Sequence, residues 1–245
     1  GWQDGPNHTV GVRPGGAQLA LAFEDRSEPP ATVLTGRIDE IEGVEAEGLR
    51  PRDVYVWLPP DYDADSSRRY PVLYLHDGGS KFGHGGADWG MDEAAHALIA
   101  SGQIEPLILV AVANTSDRTD EYTPTRQIWE RTLRRVGPPT SDHPTLGPGT
   151  GTFASDGVGG LVTMHLGLTR PDVFGRLLVA SPSVWWDGKW ILGAVERAAP
   201  DPGQRIWIDM GLEEGDSMVP DARALYQALL DRGWAPDRVT HVEAE

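Results

Sequence analysis

Side chains capable of acid–base chemistry stand just after an apolar run near the carboxyl end of the chain. The run RIWIDMG is followed by Glu213, Glu214 and Asp216. A carboxylate in such a loop can orient a histidine and stabilise its protonated form during nucleophilic catalysis. Because the chain holds 37 acidic and 21 basic residues, an ordinary acidic surface loop is the alternative interpretation.

Composition and motifs exclude several other chemistries. The chain has no cysteine, which removes disulfides, thiolate zinc sites and a cysteine nucleophile. No HExxH, calcium-loop or Cys/His pattern is present, and GVGG lacks the lysine and the spacing of a phosphate loop. We therefore expect no metal and no cofactor. The formal net charge of −16 disfavours nucleic acid and anionic membranes as partners, since both bind basic patches.

The elements that must position these side chains alternate between strand and helix. The strand-like runs are DVYVWL, PVLYL, PLILVAV, RLLVA and RIWID, and the helix-like segments are MDEAAHALIASG and PDARALYQALLDRG. The first helix has acidic residues in its first turn and ends at Gly102, and the second has Pro220 at its start. This alternation predicts an α/β fold with a mostly parallel sheet covered by helices on both faces.

The length of 245 residues accommodates one main domain. Residues 1–50 are predicted to form an N-terminal β extension packed on the core, because TGRIDEIEG alternates like a strand. Residues 51–245 are predicted to form the α/β domain. The Gly- and Pro-rich stretch from Arg135 to Gly151 is predicted to be an exposed loop. No apolar run has the length of about 18 residues typical of a membrane span, so cytoplasm is the default location.

Four segments together resemble the putative-esterase family of α/β hydrolases, which includes enterochelin-type esterases, feruloyl and acetylxylan esterases, and relatives of S-formylglutathione hydrolase. The segments are RDVYVWLPPDYD, YPVLYLHDGG, DRTDEYTPTR and GGLVTMHLGLTRPDVFGRLLVASPSVWW. The resemblance extends from about Arg52 to Glu245. It implies the α/β-hydrolase fold and a carboxylic-ester hydrolase that works through a serine nucleophile.

The resemblance also indicates where the nucleophile belongs. In this family a strand enters a sharp G-x-S-x-G turn that opens a helix, and TFAS and VGGLVTMHLGL are the predicted strand and helix. Aligning Gly159-Gly160-Leu161 with the family's S-x-G-G-L puts Gly157 at the serine position. Glycine has no oxygen that could attack a carbonyl, so we expect a chain that is inactive or nearly so. Ser155, near the end of the strand, is the alternative nucleophile.

The family's acid follows a late strand, within a G-x-x-E/D pattern. This pattern favours Glu214, with Asp216 second and Glu213 third. The family's base is a histidine that comes after the acid, and His241 alone follows the acidic loop here. Because His241 lies inside the predicted last strand, we expect the triad histidine to be absent through truncation of the chain at its carboxyl end. A missing final helix would also leave apolar surface of the sheet uncovered.

Backbone amides complete the arrangement that the resemblance implies. The family places amides at the end of a central strand, here Gly78 and Gly79, and a further amide after the nucleophile, here Val158. Such amides stabilise the oxyanion that develops during ester cleavage. An Asp-Gly-Gly turn with no catalytic role is the alternative interpretation.

Three aromatic or imidazole side chains are candidates for a substrate pocket. His76 precedes the Asp-Gly-Gly turn, and Trp185 and Trp186 resemble the family's S-P-S-x-W-W segment. The tryptophans would line an acyl or aromatic pocket. They are equally compatible with a place in the core, because tryptophan buries a large area wherever it packs.

Two functions therefore follow from the sequence. The first is a carboxylic-ester hydrolase lineage whose serine is replaced by Gly157, with a small-molecule ester as its ligand. The second is a non-catalytic binding or scaffold protein that keeps the hydrolase fold, since a fold alone does not establish a function. A homo-oligomer is compatible with either function.

Overall fold

The computed structural model describes residues 36–46, 49–83, 88–123 and 151–244, with the backbone alone described for residues 151–156. Within these ranges the chain forms eight strands, which all belong to one sheet. The strands are β1 (Arg37–Val44), β2 (Arg52–Leu58), β3 (Val72–Leu75), β4 (Ile108–Val112), β5 (Gly151–Asp156), β6 (Phe174–Ala180), β7 (Arg205–Gly211) and β8 (Val239–Ala244).

The described ranges also contain five α-helices. They are α1 (Met91–Ala100), α2 (Arg118–Tyr122), α3 (Gly157–Thr169), α4 (Trp186–Arg197) and α5 (Met218–Arg232). Helix α1 ends before Gly102 and α5 ends before Gly233, and both glycines have positive φ, of +71° and +116°. Glycine ends a helix in this conformation because it has no Cβ to clash.

The sheet has the strand order β1-β2-β4-β3-β5-β6-β7-β8. Strand β2 is antiparallel to both of its neighbours, β1 and β4. Every other neighbouring pair is parallel. The predicted mostly parallel sheet is therefore confirmed. Because β3, β5, β6 and β7 run in the same direction, the segments that follow them lie at one edge of the sheet.

Two hydrophobic layers hold the helices on opposite faces of the sheet. Helices α3, α4 and α5 supply Leu161, Ile191 and Leu225 to the larger layer, against β6 and β7 residues such as Ile208. Helix α1 contributes Ala95 to the other layer, which is built from β2, β3 and β4. Long apolar runs such as ILVAV in β4 are required because both faces of the central strands are covered.

The strand predicted from TGRIDEIEG is confirmed as β1, which pairs with β2. Residues 1–35 lie outside the described residues, as does most of the predicted loop from Arg135 to Gly151. The division of the chain at residue 50 stays a prediction. None of the helices in the described ranges is both long enough and apolar enough to span a membrane.

Candidate functional site

Gly157 lies at the junction where β5 passes into α3. The strand ends at Asp156 and the helix begins at Gly157. The φ angle of Gly157 is +54°, a left-handed conformation that costs other residues roughly 1–2 kcal/mol. The backbone N–H of Ser183 donates to the Gly157 carbonyl oxygen at 3.0 Å, which ties the bend to the segment after β6. The predicted strand, bend and helix are thus present, and the role of Gly157 stays a prediction.

A side chain at position 157 would have room. Among the described residues, apart from its chain neighbours and the backbone of its own helix, a Cβ built on Gly157 would have the Oγ of Ser183 as its nearest atom, at 4.0 Å. Ser183 is only 5% exposed. A serine or cysteine at position 157 would therefore strain the backbone, and its Cβ would clash with no described atom.

The turn after β3 lies next to this bend. Leu75 of β3 pairs with Ala154 of β5, and the two strands are parallel, so the segments beyond them share one edge of the sheet. Residues Gly78–Ser80 form a single 3₁₀ turn there. Within the described part of the chain, the amides of Gly78 and Gly79 have no hydrogen-bond acceptor. These are the amides predicted to bind an oxyanion, and that role stays a prediction.

Gly78 and Gly79 differ in their surroundings. A Cβ on Gly78 would lie 2.7 Å from the carbonyl carbon and oxygen of Ala111 in β4, whereas a Cβ on Gly79 would meet no atom of the described segments within 4 Å. The backbone of β4 cannot yield without disturbing the centre of the sheet. Gly78 is therefore required for the turn to pack directly on β4.

The Gly78→Ala variant is expected to lose about 1–3 kcal/mol of unfolding free energy, because the added methyl group would overlap backbone atoms of a central strand. Gly79→Ala is the matched control and should change stability by no more than about 0.5 kcal/mol. Urea unfolding followed by circular dichroism measures both. Equal losses for the two variants would contradict the packing argument.

Asp77 is held by a network that the sequence did not reveal. Its φ is +55°, and its carboxylate accepts hydrogen bonds from Arg118 Nε and Nη2, both at 2.7 Å. Asn114 Nδ2 donates to the same carboxylate at 2.7 Å. The Asp77 backbone N–H donates to the Tyr122 hydroxyl at 3.2 Å. Burial alone would raise the pKa of Asp77, but the hydrogen bonds and charge of Arg118 outweigh it and lower this pKa.

The acidic loop after β7 is ordered around Glu214. Its carboxylate accepts a hydrogen bond from the Ser181 hydroxyl, just after β6, and one from the Gly211 backbone N–H at 3.3 Å. Ser181 has a φ of +41°, in the left-handed region. Asp216 and Glu213 are exposed, without side-chain hydrogen bonds among the described residues. Of the three candidate acids, Glu214 is the one that contacts the segment leading to Ser183.

His241 lies within β8, as predicted. It pairs with Ile208, whereas Ala244 pairs with Gly211 at the carboxyl end of β7. His241 therefore lies three residues, or roughly 10 Å along the strand, before the position that pairs with the carboxyl end of β7. The imidazole stacks on Tyr226 of α5, with ring centroids 5.6 Å apart. Burial lowers the pKa of His241. Its place below the edge of the sheet is consistent with the prediction that it does not serve as the base.

The three predicted pocket residues have different environments. His76 is completely buried, and its ring centroid lies 4.7 Å from that of Tyr122. Trp185 is 50% exposed. Trp186 packs partly against the larger core, and the two indoles meet edge to face at 6.2 Å. A pocket role for all three stays a prediction, and Trp185 is the one that is half exposed.

The structure adds Ser181, Ser183, Asp77 and Arg118 to the neighbourhood of the site. The two serines belong to the ASPSVWW segment, in which the sequence suggested a role for the tryptophans only. Arg118 lies in DRTDEYTPTR, which carried the resemblance but suggested no role for this residue. Positive φ at Ser181 and Asp77 marks both as unusual backbone positions. A non-glycine residue with positive φ leaves no signal of this conformation in a single sequence.

Comparison with known proteins identifies the lineage. The profile of a family described as "Putative esterase" matches residues 49–232. The protein YbbA of Bacillus subtilis is 23% identical over 210 residues, which cover 75% of this chain and 80% of YbbA. The iron(III) salmochelin esterase of Escherichia coli is 25% identical over 204 residues, which cover 75% of this chain and 48% of that protein.

Solved structures show the same fold. The enterobactin esterase FES of Shigella flexneri, crystallised in the presence of enterobactin, superposes with a TM-score of 0.69 at 21% identity and covers 91% of this chain. The siderophore hydrolase EstA of Aspergillus nidulans gives 0.63 at 19% identity over 91% of this chain and 90% of EstA. The chain spans 59% of the FES chain and about half of the salmochelin esterase. With an α/β-hydrolase fold and a family profile that matches most of its length, the chain belongs to the Putative esterase family.

Proposed function

We propose that this protein binds a small-molecule ester at the carboxyl edge of its sheet and does not turn it over through an acyl-enzyme. The observation that carries the proposal is the conformation of Gly157. This residue occupies a left-handed bend between β5 and α3, with φ of +54°. Apart from its chain neighbours and its own helix backbone, the described atom nearest to its Cβ position is the Ser183 Oγ, at 4.0 Å. The bend has the geometry that would present a nucleophile, and glycine supplies none.

The absence of a side-chain oxygen decides the chemistry. Ester cleavage by this route needs an attacking hydroxyl, a new acyl–oxygen bond and departure of the alcohol. In a serine protease, removal of the nucleophile alone costs about 10⁶ in turnover. Ser183 does not substitute for it in this proposal, because the residue is only 5% exposed and its hydroxyl is therefore poorly accessible to an ester.

The rest of the site supports ligand binding. The amides of Gly78 and Gly79, which are unpaired among the described residues, are donors for a carbonyl oxygen. The first turn of α3 adds the Val158 amide and a favourable helix dipole. The exposed ring of Trp185 offers an aromatic surface beside the same edge. Aryl and siderophore esters are the ligand class that we propose, since the relatives are named for salmochelin, enterobactin and ferulic acid.

A single cysteine at position 157 tests the proposal. In the Gly157→Cys variant, the thiolate attacks the carbonyl of p-nitrophenyl acetate, an acetyl thioester forms and p-nitrophenolate leaves. The chain contains no other cysteine, so intact-mass analysis assigns the label without ambiguity. Thiolates need no general base to react, and the test is therefore independent of a triad histidine.

Gly188→Cys is the matched control. Gly188 also has a left-handed backbone, with φ of +62°, and no atom from the described part of the chain lies within 4 Å of its Cβ position. Each acetylation rate is divided by the rate of alkylation with iodoacetamide, a displacement reaction that develops no oxyanion. We expect this ratio to be at least about tenfold higher for the Gly157→Cys thiol, because oxyanion donors contribute about 10²–10³ to acyl transfer.

The unmodified protein completes the experiment. It is expected to hydrolyse neither p-nitrophenyl acetate nor feruloyl esters above the rate of the Gly157→Ala variant. Acetylation of Ser155 with turnover would overturn the proposal, since that serine is the alternative nucleophile. An equal ratio for the Gly157→Cys and Gly188→Cys variants would show that no oxyanion-binding edge faces position 157 and would overturn it as well.

A further inference from the structure

The turn that carries the Gly78 and Gly79 amides is fixed from two sides by a single stretch of chain, β4 and the segment that follows it. On one side, Gly78 packs so closely on Ala111 of β4 that a Cβ would lie 2.7 Å from its carbonyl group. On the other side, Arg118 at the start of α2 donates two hydrogen bonds to the Asp77 carboxylate. The orientation of the two amides thus depends on contacts outside the turn.

The backbone conformation of Asp77 requires stabilisation by contacts from outside the turn. An aspartate with φ of +55° is in a conformation that L-residues rarely adopt unless their surroundings fix it. Two planar donors of one guanidinium match the two carboxylate oxygens, which fixes direction as well as distance. Asn114 donates a third hydrogen bond to the Asp77 carboxylate, and the Asp77 backbone N–H donates to the Tyr122 hydroxyl.

The same geometry argues against a ligand-binding role for Arg118. Its Nε and Nη2 donors both point at Asp77, and its guanidinium carbon lies 4.8 Å from the centroid of the Tyr122 ring. The Asp77 side chain is 14% exposed and that of Arg118 is 32% exposed. The pair is therefore a partly buried clamp rather than a cation presented to solvent.

We propose that Arg118 is a positioning residue that acts through Asp77 to aim the Gly78 and Gly79 amides at the carbonyl oxygen of a bound ester. This inference rests on the proposed function, because it assumes that the reacting carbonyl lies next to position 157. Arg118 does not contact the ligand in this arrangement. Its loss would leave the thiol of a Gly157→Cys variant intact and misdirect the donors that stabilise the oxyanion.

The test compares two reactions of the same thiol. In the Gly157→Cys protein, Arg118→Met is expected to lower the rate of acetylation by p-nitrophenyl acetate by about tenfold or more, since a misplaced oxyanion donor can cost up to about 10²–10³. Alkylation by iodoacetamide should change less than about twofold, because that displacement has no oxyanion to stabilise. A merely structural role would slow both reactions or neither. The acetylation rate with Arg118→Lys should lie between the rates with Arg118 and with Arg118→Met, because an ammonium group keeps the charge but cannot form the bidentate contact.

Arg170→Met is the matched control. Arg170 also grips an aspartate with two hydrogen bonds, to Asp172 at 2.9 and 2.8 Å. Its side chain is 29% exposed, close to the value for Arg118, and it lies beyond the far end of α3. The control variant should leave both rates of the Gly157→Cys thiol unchanged.

A second variant covers the case in which Arg118→Met does not fold, as judged by circular dichroism. Asn114→Ala removes one hydrogen bond from Asp77 and should lower acetylation in the same selective way but by less. If the thiol at position 157 is acetylated faster than the thiol at position 188 and neither variant lowers acetylation selectively, the inference on Arg118 is wrong and the proposed function stands. If the thiol at position 157 shows no advantage over the one at position 188, the proposed function itself fails.

Discussion

The Glu121→Gln variant should lose about 3–5 kcal/mol of unfolding free energy, the usual cost of removing one partner of a buried ion pair. Glu121 in α2 accepts hydrogen bonds from Arg52 Nη1 at 2.9 Å and Nη2 at 2.6 Å, and from Thr115 Oγ1 at 3.2 Å. Only 4% of the Arg52 side chain and 3% of the Glu121 side chain are exposed. The substitution would leave the guanidinium of Arg52 charged, buried and without its counter-ion.

The neighbouring pair Arg50–Asp117 provides the matched control. It joins the same two segments at 2.6 Å, but its side chains are 62% and 43% exposed. Asp117→Asn should therefore cost no more than about 1 kcal/mol. Urea unfolding at neutral pH measures both variants. Similar losses for Glu121→Gln and Asp117→Asn would show that burial does not govern the strength of this contact.

Lowering the pH from 7 to 4 should destabilise the protein by about 3 kcal/mol through His76 alone. Burial lowers the pKa of His76 from 6.5 to about 3. His76 is therefore protonated below about pH 6.5 in the unfolded chain, but only below about pH 3 in the folded protein. Stability that is complete above pH 6.5 is lost progressively as the pH falls through this window.

The His76→Phe variant isolates this contribution, because phenylalanine keeps a ring of similar size beside Tyr122 and cannot titrate. Urea unfolding of both proteins at several values between pH 7 and pH 4 gives two curves of stability against pH. The carboxylates titrate in both proteins, so the difference between the curves reports His76. Parallel curves would mean that the folded protein accepts a proton at this site as easily as the unfolded chain does.

These two sites flank the proposed ester-binding edge. His76 and Asp77 are consecutive, and Tyr122 contacts both while Glu121 stands beside it on α2. The ion pair between Arg52 and Glu121 therefore anchors the helix that supplies Tyr122 and Arg118 to the turn. A loss of this ion pair should weaken the support of the Gly78 and Gly79 amides as well as the stability of the fold.

The fold was readable from the sequence because its signals are local. Apolar runs such as ILVAV predicted strands buried on both faces, and the acidic first turn and Gly102 marked the limits of α1. The position of Gly157 was also readable, since a strand, a glycine-rich turn and a helix follow one another in the chain. Its inability to act as a nucleophile follows from its residue type alone.

The contacts that shape the candidate site were decided only by tertiary structure. Ser181 meets Glu214 across 33 positions of sequence and Asp77 meets Arg118 across 41, because parallel strands bring the ends of distant segments to one edge of the sheet. The preference for Glu214 over Asp216 rested on a resemblance, whereas its hydrogen bonds depend on where β6 and β7 end. Residue types and spacing determined the elements and placed a glycine, which has no side-chain oxygen, at the bend between β5 and α3. Pairing between strands, which depends on contacts distant in sequence, determined which side chains meet.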